Sequence, residues 1–169
     1  MNSKNIFIVG AMGSGKSTIG KLLAKKLQRK FLDTDHEIEV NTNHDISTIF
    51  EKFGEGVFRE KETEILNKLK DKENHVISTG GGIILKDENI NLMKDIGILV
   101  FLDISLETQI KRVKYRKHRP LLKNSNLEIE LKKLKINRDP IYNKISDYII
   151  EVSSKDKNTI VDEIQKKLL

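Results

Sequence analysis

The chain has 169 residues, 37% hydrophobic and 33% charged, a composition ordinary for a soluble globular protein with one domain spanning 1–169. It contains no cysteine, which excludes disulfides and thiolate zinc sites together. No apolar stretch approaches the roughly 20 residues of a membrane span, and no signal-like apolar region opens the chain, so we expect a cytoplasmic protein without a membrane partner. The net charge of +6 comes from lysines scattered beside glutamates, as on solvated helix faces, so we expect no nucleic-acid partner.

Apolar runs and helix-like segments alternate along the first half of the chain. The run "NIFIVG" suits a buried strand, and the segment "STIGKLLAKKLQRK" places Ile19, Leu22, Leu23 and Leu27 on one helical face. The run "KFLDTD" reads as a second strand that ends in two aspartates. The elements predicted up to residue 72 are strands at 5–10 and 30–35 and helices at 17–30, 36–40, 47–53 and 56–72.

The second half continues the alternation. The run "HVISTGGGIIL" predicts a strand that breaks at a triple glycine, and "GILVFLDIS" predicts a fully apolar strand at 97–105. Helices are predicted at 106–116, 127–139 and 157–169, and a final strand at 147–152. Residues 117–126 lack periodicity, which indicates a mobile loop.

Strands without polar alternation, interleaved with helices, predict an α/β fold: a three-layer α/β/α sandwich around a parallel sheet of about five strands. Ligands of such sheets bind beyond the carboxyl ends of the strands. Gly10, Asp33, Gly80 and Asp103 all fall at predicted strand ends. The sequence therefore predicts one ligand site at that edge.

The segment "GAMGSGKST" fits the phosphate-loop pattern G-x-x-x-x-G-K-[ST] between a strand and a helix. Backbone N–H groups can converge on a phosphate only where side chains are small, and the helix N-terminus adds positive potential. Lys16 would reach the β and γ phosphates, and the Ser17 hydroxyl would coordinate Mg²⁺. We expect the converging N–H groups to come from Gly13, Ser14, Gly15 and Lys16. The alternative is a glycine-rich turn with an incidental lysine.

ATP is the expected nucleotide. A GTPase would normally carry an Asn-Lys-x-Asp motif that reads guanine, and the nearest candidate, "NKIS" at 143–146, lacks the aspartate. The acceptor remains to be identified from the rest of the strand ends.

Two aspartates follow the second predicted strand. Asp33 and Asp35, two residues apart, would lie on the same side of its end, where one carboxylate can hold Mg²⁺ through water while the other faces an acceptor hydroxyl. The alternative is that Asp35 simply caps a helix beginning near His36.

Two arginines and a bare backbone complete the predicted acceptor pocket. Arg59 and Glu62 face the same way on a helix, although a surface ion pair would explain them equally well. The run "STGGG" lets a ligand touch the backbone or forms a mere tight turn, and Arg138 by itself is uninformative. Because arginine's planar fork suits carboxylates, the expected acceptor is a small hydroxylated acid.

The combination of motifs resembles the shikimate kinase family across essentially the whole chain. The matching segments are "GAMGSGKST", "DTD", "GEGVFREKE", "STGGG", "HRPLL" and "NRDPIYNKISDYIIE". Shikimate kinases are P-loop kinases of the nucleoside monophosphate kinase type with a mobile lid. They transfer the γ-phosphoryl group of ATP to the 3-hydroxyl of shikimate, giving shikimate 3-phosphate and ADP on the chorismate route to aromatic amino acids. The resemblance implies a monomer, a substrate-binding segment at about 33–62 and a lid at about 113–126.

The resemblance also implies roles for individual residues. Asp35 would hydrogen-bond the shikimate hydroxyls and accept the proton, and Glu62 would orient Arg59. The shikimate contacts implied are Asp35, Arg59, Glu62, Gly80, Gly81, Gly82 and Arg138, with both arginines on the carboxylate. The ATP contacts implied are Gly13, Ser14, Gly15, Lys16, Ser17, Thr18, Arg112, Arg119 and Lys155.

The resemblance gives the residues on the nucleotide side distinct roles. Ser17 and Asp33 match a Mg²⁺ site, with Asp33 acting through water. Arg119 resembles a lid arginine that swings onto the transferring phosphate, which makes Lys16, Asp35 and Arg119 the implied catalytic residues. Arg112 would pack on adenine, and residues 153–157 would form the other adenine wall.

Two alternatives stay open at this point. One is another P-loop small-molecule kinase, acting on gluconate or a nucleoside monophosphate. The other is a non-catalytic ATP-binding module or switch, which would leave Asp35 and Arg119 without roles.

Overall fold

A five-stranded parallel sheet forms the centre of the fold. The computed structural model describes residues 4–114 and 126–169. The strands are β1 (Asn5–Val9), β2 (Lys30–Asp33), β3 (His75–Ser78), β4 (Gly97–Asp103) and β5 (Tyr148–Glu151), in the order β2-β3-β1-β4-β5. All four pairings are parallel, with Ile6 opposite both Val76 and Ile98. The predicted parallel sheet is confirmed.

Helices cover both faces of this sheet. They are α1 (Lys16–Leu27), α2 (Thr34–Thr42), α3 (Ile46–Lys68), α4 (Asp87–Ile96), α5 (Leu106–Lys114), α6 (Leu127–Ile145) and α7 (Lys157–Leu168), with a 3₁₀ turn at Ile83–Leu85. Within the described ranges, no helix has both the length and the hydropathy of a membrane span. Residues 117–125 of the loop predicted at 117–126 and most of the implied lid, Arg119 included, lie outside the described residues.

The core lies in two layers separated by β1, whose five residues are all buried. Phe7 and Val9 face a cluster supplied mainly by α3, α4 and α6. Ile6 and Ile8 face a second cluster supplied mainly by α1 and α7. A strand can be apolar throughout only where helices cover both of its faces, so the three-layer prediction is confirmed.

Helix α4 is absent from the predicted elements. It buries Leu92 and Met93 against the core, but Asn89 on the same face is also fully buried. The Asn89 amide donates to the Ile83 carbonyl at 3.1 Å and accepts from the Thr63 hydroxyl at 2.8 Å. A buried asparagine breaks the apolar pattern by which a helix is recognised, and the residue type itself disfavours helix interiors.

Helix α6 continues six residues beyond its predicted end at Asp139, through Pro140. Proline in a helix interior costs about 3 kcal/mol because it lacks an N–H and crowds the carbonyl four residues earlier. That carbonyl belongs to Ile136, a residue that is 62% exposed, and so lies on the solvent side of the helix. Beyond the proline, Tyr142 and Ile145 are buried, and their burial favours continuing the helix.

The structure after β2 contradicts two predictions about Asp33 and Asp35. The strand ends at Asp33, and Asp35 lies in the first turn of α2, so the two do not share one side of a strand end. The N-cap of α2 is Asp33, whose Oδ1 accepts from the N–H groups of Asp35 at 3.1 Å and His36 at 3.4 Å. Asp35 as the capping residue was therefore wrong.

The next helix also differs from its predicted form. The segments predicted at 47–53 and 56–72 are two halves of α3, which bends at Gly54, where φ is 83°. Arg59 and Glu62 lie in the second half of α3, beyond this bend.

Candidate active site

The phosphate loop joins β1 to α1. The Ser14 N–H donates to the Ala11 carbonyl at 3.3 Å and closes a four-residue turn. Gly13 stands third in that turn with a φ of 80°, the sign that a type II turn requires and that glycine adopts without strain. Gly15 is the N-cap of α1 and carries no side chain, so the positive end of α1 opens toward an anion.

Ser14 lies inside this turn. Its N–H makes the 3.3 Å contact to the Ala11 carbonyl, its side chain is buried, and its predicted contact with ATP stays a prediction. The Lys16 ammonium folds over the loop, with Nζ 2.9 Å from the Ala11 carbonyl oxygen. The predicted loop residues that line the adjoining cavity are Gly13, Gly15, Lys16, Ser17 and Thr18.

Helix α5 holds the outer side of the same loop. The buried Gln109 amide donates to the Met12 carbonyl at 3.0 Å, and the Arg112 guanidinium donates to the Gly13 carbonyl at 3.4 Å and to the Val152 carbonyl at 3.0 Å. Because the Met12 and Gly13 carbonyls point toward α5, the side of the loop away from α5 is left for N–H groups. This role of Gln109 was not predicted from the sequence. The available signal was its position three residues before Arg112, which places both side chains on the same face of a helix.

Ser17 and Asp33 meet between α1 and β2. The Ser17 hydroxyl lies 2.6 Å from Asp33 Oδ2 and 3.2 Å from the Ser78 hydroxyl. Because Asp33 Oδ1 caps α2, the carboxylate is fixed in orientation. Hard oxygen donors next to a phosphate loop suit Mg²⁺, which takes one or two protein ligands and completes its shell with phosphates and water. Ser78 was not predicted here.

The triple glycine forms the opposite wall. A side chain on Gly80 would come within 2.6 Å of Asp35 Oδ1 and 2.9 Å of Glu62 Oε1. A side chain on Gly82 would overlap the guanidinium of Arg59. The bare backbone thus allows two carboxylates and one arginine to pack directly against it.

Arg59 and Glu62 form a buried ion pair on α3. The Arg59 NH1 nitrogen lies 2.8 Å from Glu62 Oε2, and Glu55 accepts from the other side of the guanidinium at 2.9 Å. The Glu62 side chain has no exposed surface, and burial, partly offset by Arg59, raises the pKa of Glu62 to about 7. The surface ion pair considered from the sequence is therefore not what the structure contains.

Arg138 approaches the wall from α6. Its NH1 nitrogen donates to the Gly81 carbonyl at 3.2 Å, and the Tyr142 hydroxyl donates to the same carbonyl at 2.6 Å. Burial is the main cause that lowers the Arg138 pKa. Because burial disfavours the charged form of this guanidinium, a bound anion would stabilise that form. The contact of Tyr142 with this carbonyl was also not predicted from the sequence.

One cavity of about 610 Å³ brings the two walls together. Lys16 and Ser17 line its phosphate side, and Asp35, Arg59 and Arg138 line its other side. The remaining predicted acceptor residues on its lining are Glu62, Gly80, Gly81 and Gly82.

A second groove adjoins the outer face of α1. Thr18, Arg112 and Lys155 line it, and the Lys155 ammonium is 2.6 Å from a Glu163 carboxylate oxygen. Arg112 and the 153–157 loop, predicted to flank adenine, therefore border the same groove, which meets the phosphate loop at Ser17.

Comparison with known proteins identifies the family. A shikimate kinase family model matches residues 12–169. The shikimate kinase of Chromohalobacter salexigens is 40% identical over 162 residues, which cover 96% of this chain and 90% of that protein. The chain belongs to the shikimate kinase family. Its activity is that of the family, the ATP-dependent phosphorylation of shikimate in aromatic biosynthesis.

Superposition on solved structures supports the same family. A shikimate kinase from Acinetobacter baumannii in complex with shikimate superposes with a TM-score of 0.94 at 42% identity, covering 98% of this chain and 92% of that one. A gluconokinase from Sinorhizobium meliloti superposes with a TM-score of 0.70 at 19% identity, covering 98% and 91%, a likeness that shows the fold alone. The family match thus favours shikimate kinase over the gluconate kinase alternative.

Proposed function

We propose that the 610 Å³ cavity carries out the transfer of the ATP γ-phosphoryl group to the 3-hydroxyl of shikimate. The observation that carries this proposal is the lining of that cavity, in which Lys16 stands on one side and Arg59 and Arg138 stand on the other. A donor phosphate and an acceptor carboxylate bound there would share one cavity. Holding both reactants in one geometry is the main contribution that a phosphoryl-transfer enzyme makes.

The acceptor is held at the triple-glycine wall in this proposal. Arg59 and Arg138 bind the shikimate carboxylate, because two guanidinium groups placed near a bare backbone suit a planar anion. Glu62 fixes the Arg59 guanidinium through their 2.8 Å contact, and Gly81 supplies a backbone contact. Asp35, beside Gly80, orients the reacting hydroxyl and accepts its proton.

The donor is held at the phosphate loop. The N-terminus of α1 and the Lys16 ammonium stabilise the negative charge on the phosphates, and this charge neutralisation matters more than a strong base in a loose transition state. Ser17 and Asp33 would hold Mg²⁺, which when bound with ATP supplies further charge neutralisation to the phosphates. We assign Arg119, outside the described residues, to the transferring phosphoryl group, on a lid at about 113–126 that limits ATP hydrolysis.

The adenine end is assigned to the second groove. Arg112 packs against the base, Lys155 borders it, and Thr18 lies between this groove and the phosphates. We also propose that the protein acts as a single-domain monomer in the cytoplasm, where ATP is available, and binds no nucleic acid. Light scattering after gel filtration tests the monomer directly, with an expected mass near 19.4 kDa.

A panel of acceptors tests the proposed reaction. Purified protein with Mg²⁺ and ATP is given shikimate, gluconate or AMP, and the release of ADP is followed. We expect the fastest turnover with shikimate, and faster turnover with gluconate or AMP would contradict the proposal. Binding of ATP without acceptor-dependent turnover would instead indicate a non-catalytic module. In the same assay, Arg138→Ala should raise the shikimate KM and leave the ATP KM near its parent value.

A further inference from the structure

Tyr142 is a fully buried residue beside the wall formed by Gly80, Gly81 and Gly82. It lies one helical turn after Arg138 on α6, so the two side chains leave the same face of the helix. Its ring stacks on Phe101 of β4, with centroids 4.8 Å apart and planes 18° apart. This stack fixes the ring and directs the hydroxyl to the Gly81 carbonyl, 2.6 Å away.

The Gly81 carbonyl has two donors. A carbonyl can only accept, so the Tyr142 hydroxyl donates to it, as does Arg138 NH1 at 3.2 Å. The shorter of these contacts comes from a side chain with little freedom to move. The longer contact comes from a guanidinium that lines the cavity and has further N–H groups to offer.

The position of this carbonyl determines what the wall presents to a ligand. The C=O of Gly81 and the N–H of Gly82 belong to one planar peptide group and point in opposite directions. Fixing the carbonyl therefore fixes the direction of the Gly82 N–H. An acceptor that draws the Arg138 guanidinium toward its carboxylate would weaken the longer contact, and a partly buried carbonyl that loses its donors is unfavourable.

We propose that Tyr142 is a positioning residue for the acceptor carboxylate. Its hydroxyl keeps the Gly81 carbonyl bonded, and the 81–82 peptide in place, when Arg138 turns to the substrate. The inference rests on the proposed function, since it assigns Arg138 to the shikimate carboxylate. Tyr142 acts through Arg138 and the peptide and does not itself touch the substrate.

The test is Tyr142→Phe, which removes only the hydroxyl and keeps the ring on Phe101. We expect the shikimate KM to rise about tenfold, as for loss of one partly buried hydrogen bond, while kcat and the ATP KM stay within about twofold. The matched control is Tyr148→Phe on β5, a half-buried tyrosine that lines neither the cavity nor the second groove. Its three constants should match those of the parent.

Shikimate methyl ester provides a readout that a general loss of stability would not change. The ester lacks the carboxylate charge, so the ratio of its KM to that of shikimate reports on recognition of the carboxylate. We expect Tyr142→Phe to lower this ratio about tenfold, because only the acid loses affinity.

Two results would overturn the proposal. One is an unchanged ratio, whether neither KM changes or both rise equally, and the other is failure of Tyr142→Phe to fold, which would make the hydroxyl a determinant of the fold instead. Failure of the proposed function is separate, since it would appear as absent shikimate turnover in the parent.

Discussion

Glu62 lies 2.8 Å from the guanidinium of Arg59, although the glutamate side chain has no exposed surface. Burial destabilises its charged form, and the ion pair compensates only in part, so the pKa of Glu62 is raised to about 7. Asp35, across Gly80, acts in the same direction as burial, and Arg138 acts against it. The cavity that we propose for the acceptor thus contains a glutamate whose pKa is raised to about 7.

This raised pKa predicts a pH dependence of stability. Above the ordinary pKa of 4.5 the folded chain holds the Glu62 proton more tightly than the unfolded chain does. The contribution of Glu62 to stability is therefore fully present below about pH 4.5 and is lost as the pH rises through about 7. The difference in free energy of unfolding between the parent and Glu62→Gln should shift by up to about 3 kcal/mol across this window, in favour of the variant at higher pH.

Urea denaturation at intervals from pH 4.5 to 8 measures that difference. The control is Glu64→Gln, which changes an exposed glutamate paired with Lys61 on the same helix and should give a flat difference. A flat difference for Glu62→Gln as well would refute the raised pKa.

Gly82 is predicted to accept no side chain. Alanine there would overlap the Arg59 guanidinium and displace it from the pocket, so Gly82→Ala should raise the shikimate KM at least about tenfold. The matched control is Gly56→Ala in α3, the helix that carries Arg59, where a methyl group meets nothing within 4 Å. That variant should keep its kinetics and gain up to about 1 kcal/mol of stability from helix propensity. Parent-like shikimate kinetics in Gly82→Ala would show that Arg59 is not needed where it lies.

Asp35 is predicted to act in the chemical step. Asp35→Asn keeps the shape of the side chain but removes the charge that orients the hydroxyl and accepts the proton, so kcat should fall about a hundredfold or more. Asp71→Asn, at an exposed aspartate after α3, serves as the control. If Asp35→Asn altered only the ATP KM, the residue would belong to the nucleotide site.

Lys16 is predicted to be essential for transfer but not for folding. Lys16→Met retains most of the apolar stem and removes the charge that stabilises the phosphoryl oxygens, so turnover should be abolished while the melting temperature remains close to that of the parent. Lys25→Met changes an exposed lysine on the same helix and should turn over normally. Near-normal rates in Lys16→Met would remove this lysine from the mechanism.

Much of this architecture could be predicted from local pattern. The apolar run that became β1 required cover on both faces, and Phe7 and Ile8 do point to opposite cores. The spacing of Gly10, Gly15 and Lys16 predicted a loop between strand and helix because few other settings tolerate so bare a backbone. Periodicity failed where burial was polar, as at Asn89 in α4, and where packing outweighed a helix breaker, as at Pro140.

The site was harder to predict in detail because its geometry depends on tertiary contacts. One alternative from the sequence makes Asp35 the N-cap of α2, but β2 ends so that Asp33 takes this position. The Asp33 carboxylate also accepts a hydrogen bond from the Ser17 hydroxyl. Gln109 and Tyr142 bond to backbone carbonyls that are 97 and 61 residues away in sequence. No local spacing encodes such partners.

Analysis of the reaction product tests the central claim, a single cleft for the donor phosphate and the acceptor acid, most directly. Shikimate is converted with Mg²⁺ and ATP, and the site of phosphorylation is determined by phosphorus and proton NMR. We expect one product, phosphorylated on the 3-hydroxyl, formed in equal amount to ADP. Phosphate on another hydroxyl, or ADP with only free phosphate, would contradict it.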